Sequence, residues 1–86
     1  MAQTIHELKT WPEHFKAVYS GKKKVEVRKN DREFKQFDQL FLREWEPETE
    51  RYTTKSIYVY VTHILEGGQF GIKEGYVVMS IEIMLF

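Results

Sequence analysis

The chain has 86 residues with 13 Lys and Arg, 13 Asp and Glu and three His, so its formal net charge is zero. That balance argues against coating nucleic acid by bulk electrostatics, and the absence of cysteine argues against a disulfide framework or thiolate zinc ligands. No apolar run approaches the ~20 residues that cross a bilayer and the opening Met-Ala-Gln-Thr is polar, so a cytoplasmic protein without membrane contact is expected.

One domain over 1–86 is expected, burying about 60 to 65% of its unfolded surface. Ile5-His6-Glu7-Leu8-Lys9 alternates apolar and polar side chains and predicts a first strand. Thr10-Trp11-Pro12-Glu13 reads as a capping box, with Thr10 accepting from the third amide, Glu13 reaching back and proline in the first turn. Trp11, Phe15, Val18 and Tyr19 recur at helical spacing, so a helix over about 11–20 is expected to pack this stripe on a sheet as core, with Gly21 as its left-handed stop. Residues 23–29 predict a second strand and 30–33 a turn. A third strand follows over 39–46, where Leu40 and Leu42 alternate with Phe41, Arg43 and Trp45. Residues 47–54 read as a polar hairpin connection. A long strand is expected over 56–65, with Ile57, Val59 and Val61 on one face and Tyr58, Tyr60 and Thr62 on the other. Residues 66–71 form a glycine-rich, flexible loop, 76–84 the last strand, and the apolar tail 81–86 belongs to it.

Five β segments and one helix leave no room for the crossover helices of parallel sheets. The fold class is therefore mainly β (α+β): a small, mostly antiparallel β-barrel of five to six strands with one N-terminal α-helix closing an end.

The most informative motif is Gly21-Lys22-Lys23-Lys24-Val25-Glu26-Val27-Arg28, or G-x-K-x-x-E-x-R. In a period-2 strand Val25 and Val27 share one face while Lys24, Glu26 and Arg28 share the other. A carboxylate beside a guanidinium holds that fork in one orientation, which suits a phosphate or a planar base edge. A plain solvated face with an ion pair worth roughly 0 to 1 kcal/mol is the competing reading. Charge is also uneven along the chain: residues 1–32 hold eight Lys or Arg against four acids, and the remainder holds five against nine. A small basic patch on a neutral domain predicts few phosphate contacts.

The motif resembles the signature of the ASCH superfamily, small domains with a fold like that of the PUA RNA-binding domain. The likeness extends to His6-Glu7-Leu8-Lys9, Arg28-Lys29-Asn30-Asp31-Arg32, Leu42-Arg43-Glu44-Trp45 and Gly75-Tyr76-Val77-Val78-Met79-Ser80-Ile81, in the manner of a short bacterial and phage branch. The resemblance implies a PUA-like barrel, RNA as partner, and a cleft beside the motif strand to which Lys23, Glu26 and Arg28 carry over. Lys23 sits at an odd strand offset from Glu26, which the preceding turn has to correct. Arg32, Arg43 and Trp45 are candidates for a second cation and a stacking surface, since bases stack on indole and guanidinium planes. For Trp45 a partly buried barrel position competes, and for Arg43 a structural pair with Glu44 or another strand. His6 and Lys9, from the matching segment before the helix, complete the candidate ligand or RNA-binding set, and His14 reads as surface.

His6, His14 and His63 show no metal-ligand spacing, and residues 67–71 lack the lysine and serine of a phosphate-binding loop. No metal and no cofactor are expected. One superfamily relative hydrolyses an acetylated cytidine nucleoside with a threonine where this chain has Glu26. Glutamate cannot supply that hydroxyl, and a carboxylate beside arginine is a weak base near neutrality, so Lys23 and Glu26 are weak catalytic candidates. The reading is an RNA-binding domain, with DNA or a nucleotide as other ligands. The alternatives are an amidohydrolase-like enzyme acting on a modified nucleoside and a non-catalytic protein-interaction domain.

Overall fold

Alternating side chains build strand β1 (Ile5–Thr10), which turns His6, Leu8 and Thr10 inward. The structure is a computed structural model and describes residues 4–84. Helix α1 (Pro12–Tyr19) follows directly, and four strands complete the chain: β2 (Val25–Lys29), β3 (Gln39–Glu46), β4 (Arg51–Glu66) and β5 (Tyr76–Ile83). They form one sheet in the order β1-β3-β4-β5-β2. The fold is mostly β and mostly antiparallel with one short helix. Of the apolar tail, residues 85 and 86 lie outside the described residues.

One pair corrects the expectation. β1 and β3 run parallel, from Ile5 opposite Gln39 to Thr10 opposite Glu44. Residues 11–38, carrying α1, β2 and a loop, supply the long connection a parallel pair requires.

The central strand β4 hands over from one neighbour to the other. It pairs with β3 from Arg51 to Tyr60 and with β5 from Val59 to Glu66, so the sheet curls into a half-barrel. A register shift between Val61 and His63 changes the parity: Ile57, Val59 and Val61 face the core before it, and Ile64 after it. Leu8, Leu40, Leu42, Val77 and Met79 fill the concave side with them. Each such side chain contributes about 1.5–3 kcal/mol by leaving water. The β3–β4 turn is only residues 47–50, shorter than the polar pattern suggests. Its flanks stay laddered, with Trp45 opposite Tyr52 and Glu46 opposite Arg51, beyond the point where an apolar face is needed.

The capping box does not form. Trp11 is the N-cap, in extended backbone and without a side-chain cap, because Pro12 takes the first helical position and Thr10 is held buried in β1. Only half of the aromatic stripe is core. Phe15 and Val18 are buried, whereas Trp11 and Tyr19 are 52% and 63% exposed.

Arginines close the half-barrel. The Thr4 carbonyl accepts from the Gln39 amide, so by strand alternation the carbonyls of Glu7 and Lys9 point away from β3. Arg32 Nη1 donates to the first at 3.0 Å and Arg28 Nη2 to the second at 2.9 Å. Two guanidinium groups thus stand where the amides of a neighbouring strand would.

Candidate functional site

Gly21 sets the geometry of the motif. Its φ of 81° ends α1 in the left-handed region, and the amides of Lys22 and Lys23 both donate to the Ala17 carbonyl. Lys23 therefore leaves the chain before β2 begins, free of strand parity. This corrects the odd offset. Its Nζ reaches both His14 Nδ1, which accepts at 3.1 Å, and Glu26 Oε1 at 3.8 Å.

β2 inverts the usual placement of apolar residues. Glu26 is 3% exposed, while Val25 and Val27 are 39% and 54% exposed. The charged face turns inward because this end of the half-barrel is lined with polar partners. Arg28 Nε donates to Glu26 Oε2 at 2.9 Å, so each carboxylate oxygen faces a cation. A buried charge without such partners would cost several kcal/mol. Arg28 Nη2 also donates to Thr10 Oγ1 at 3.4 Å. Among the described residues its Nη1 takes no partner. Behind Thr10, in register on β3, Glu44 is buried, with Oε1 accepting from the Thr53 hydroxyl at 2.9 Å and Oε2 unpartnered among the described residues.

These groups border a cleft of about 420 Å³ lined by Lys9, Thr10, Trp11, His14, Lys23, Glu26, Val27 and Arg28. Three fixed cations against one acid make it basic, and the volume suits a nucleotide-sized ligand. A larger depression of about 550 Å³ lies between α1 and β4, lined by Phe15, Lys16, Tyr19, Ser20, Thr54, Lys55 and Ser56. It is more apolar and holds no oriented set of charges, so the smaller cleft is the stronger candidate.

The expected site residues divide. Lys9, Lys23, Glu26 and Arg28 come together. Trp45 lies one step back, with the Lys9 ammonium 4.6 Å from its ring centre. Arg43 pairs instead with Glu7 at 2.9 Å and lies 3.8 Å over the Tyr52 ring, a structural role that bridges β3 to β1 and β4. Arg32 serves the seam. His6 is no cleft residue: it is buried, 2.8 Å from Asp38 Oδ2, with its ring edge-on to Phe34 at 4.7 Å. Sequence reasoning missed Thr10, Trp11 and His14. For Trp11 a signal existed, since a proline directly after it starts the helix one residue later and takes the indole out of the buried stripe. For His14 none did, because its partner arrives only through the Gly21 turn. Among the described residues no three His, Cys, Asp or Glu side chains group as metal ligands, and no helix is long and apolar enough to cross a membrane.

A family model described as a domain of unknown function (DUF3850) matches residues 5–81. The chain belongs to this family. The match takes in every strand but the last two residues of β5, so the DUF3850 domain and the half-barrel coincide. An "Uncharacterized 12.9 kDa protein in GpA 3'region" of Escherichia phage P2 is 44% identical over 45 residues, or 52% of this chain. That stretch is 41% of the phage protein, so the chain spans less than half the length of this relative.

Proposed function

We propose that this domain is an RNA-binding module of the ASCH, PUA-like kind, which holds RNA or a nucleotide in the cleft beside β2. One observation carries the reading: buried Glu26 orients Arg28 and Lys23 into a cleft whose rim bears an exposed indole. A guanidinium fixed at Nε and Nη2 presents Nη1 in one direction, which suits a phosphate or base edge. Trp11, rather than Trp45, offers the stacking plane. The resemblance of the G-x-K-x-x-E-x-R strand and its flanks to the ASCH signature points the same way. Glu26 acts here as the group that orients the cations. Both its oxygens face cations, which favours that role over attack on a substrate and supports the binding reading above the hydrolase one.

Titration of labelled single-stranded RNA at several salt concentrations tests the proposal. About two to four neutralised phosphates are expected, so log affinity falls against log salt with a slope of about −1.5 to −3.5. Arg28→Ala weakens binding more than Lys16→Ala, which lies on the exposed side of α1. Glu26→Gln also weakens binding although it removes a negative charge. No binding by the wild type at low salt, or tighter binding by Glu26→Gln, would overturn the mechanism and turn attention to a protein partner.

A further inference from the structure

Leu8, Leu40, Leu42 and Val59 face the core, so by strand alternation Lys9, Phe41, Arg43 and Tyr58 stand on the outward face of the sheet. Register sets rings side by side there. Phe41 lies opposite Tyr58, with ring centres 4.5 Å apart and planes 17° from parallel, and Trp45 lies opposite Tyr52. The Lys9 ammonium is 4.6 Å from the Trp45 ring centre and the Arg43 guanidinium 3.8 Å from that of Tyr52. Phe41, Trp45 and Tyr58 are half-buried, and Tyr52 is 39% exposed. Helix α1 packs on the opposite, concave side, where its Val18 joins the core.

Cross-strand stacking within the sheet accounts for Phe41 beside Tyr58. It does not account for how this face meets the cleft. Lys9 both lines the cleft and stands over Trp45, and it lies opposite Arg43 in the parallel pair, so the β1 wall of the cleft adjoins the row of rings directly. Outward residues 45, 43 and 41 follow one another along β3 at about 6.4–6.8 Å, two residues of rise each. Bases stack on aromatic rings and on guanidinium planes whatever their sequence. Ile5 is the one aliphatic side chain in the paired outward rows of β1, β3 and β4, which favours flat rings over the apolar side chains of a protein partner. The charges in those rows are Lys9 and Arg43 against Glu7, which Arg43 already holds at 2.9 Å. Resting on the RNA reading above, we infer that the outward face of β3 and β4 is a second part of the RNA site. Nucleotides leaving the cleft pass over Lys9 and stack on Trp45, Arg43 and the Phe41–Tyr58 pair.

An RNA dinucleotide, which the cleft alone can hold, and a single strand of about eight nucleotides, which can reach the outward face, separate the possibilities. Each stacked base strengthens binding at least about fivefold, so the wild-type domain is expected to bind the longer RNA about thirtyfold or more tightly at moderate salt. Phe41→Leu/Tyr58→Leu should remove most of that gain and leave dinucleotide binding within about twofold, with circular dichroism checking the fold. Arg28→Ala weakens binding of both lengths. In Trp11→Phe, Trp45 is the one remaining indole, and the longer RNA should quench its fluorescence while the dinucleotide does not. That signal decides the matter by itself if the double variant fails to fold. An equal loss for both lengths in the double variant, or a longer RNA that binds and leaves Trp45 unquenched, overturns the outward path and leaves the cleft reading standing. Binding of neither RNA by the wild type at low salt overturns both, and makes a protein the partner to seek for this face.

Discussion

The β3–β4–β5 ladder and the β1–β2 seam close the same half-barrel by different physics. The ladder joins strands through main-chain hydrogen bonds over an apolar face, with Leu40, Leu42, Val59, Val61 and Met79 fully buried beneath it. Its main-chain groups satisfy one another across the paired strands. The seam joins edges through side chains: Arg28 to Lys9 and Thr10, Arg32 to Glu7, and Glu26 to Arg28 and Lys23. It holds less apolar surface and keeps polar groups oriented toward open space. The oriented charges of the candidate site thus lie where the hydrogen-bonded ladder stops.

The largest effect that would sharpen this contrast is a ladder truncation. Leu42→Ala should lower the unfolding free energy by about 2–5 kcal/mol in urea titration, since its site is fully enclosed. A loss under about 1 kcal/mol would mean that the ladder is not the main support. Arg28→Ala should cost less, about 1–3 kcal/mol, because its side chain is 26% exposed and solvent screens part of what it leaves behind. A double-mutant cycle of Glu26→Ala and Arg28→Ala should return a coupling of about 1 kcal/mol, and additivity would break the idea that the pair acts as a unit. Arg32→Ala removes one exposed edge bond and should cost less than about 1 kcal/mol, seen chiefly as faster amide exchange in β1. Trp11→Ala should leave stability within about 0.5 kcal/mol yet weaken RNA binding by about 1–3 kcal/mol. A large stability loss at Trp11 would return the indole to the core.

How far the sequence speaks differs between the same two regions. β3 and β5 are legible because each buries one face against the core, so their alternation is imposed by packing. Residues 51–55 escape notice because that arm of β4 lies beyond the core, and its ladder needs no apolar side chains. At the seam, parity is readable but direction is not. Glu26 and Arg28 share a face as their spacing requires, yet nothing local reveals that this face turns inward and leaves the valines outside. Thr10 resembles a helix cap for the same reason: its true partners, β3 and Arg28, are distant in sequence. His14 and Lys23 meet only after the Gly21 turn folds the chain back along α1.

Arg28 belongs to both the seam and the cleft, and this ties two traits to one codon. If the cleft binds as proposed, a substitution there changes the clasp and the ligand contact together. Trp11 and His14 take no part in the β1–β2 clasp, being exposed at the rim, although His14 accepts from Lys23. On the proposed reading, ligand preference can be altered at the rim, at positions 11 and 14, without touching the clasp, whereas a change at position 28 alters both.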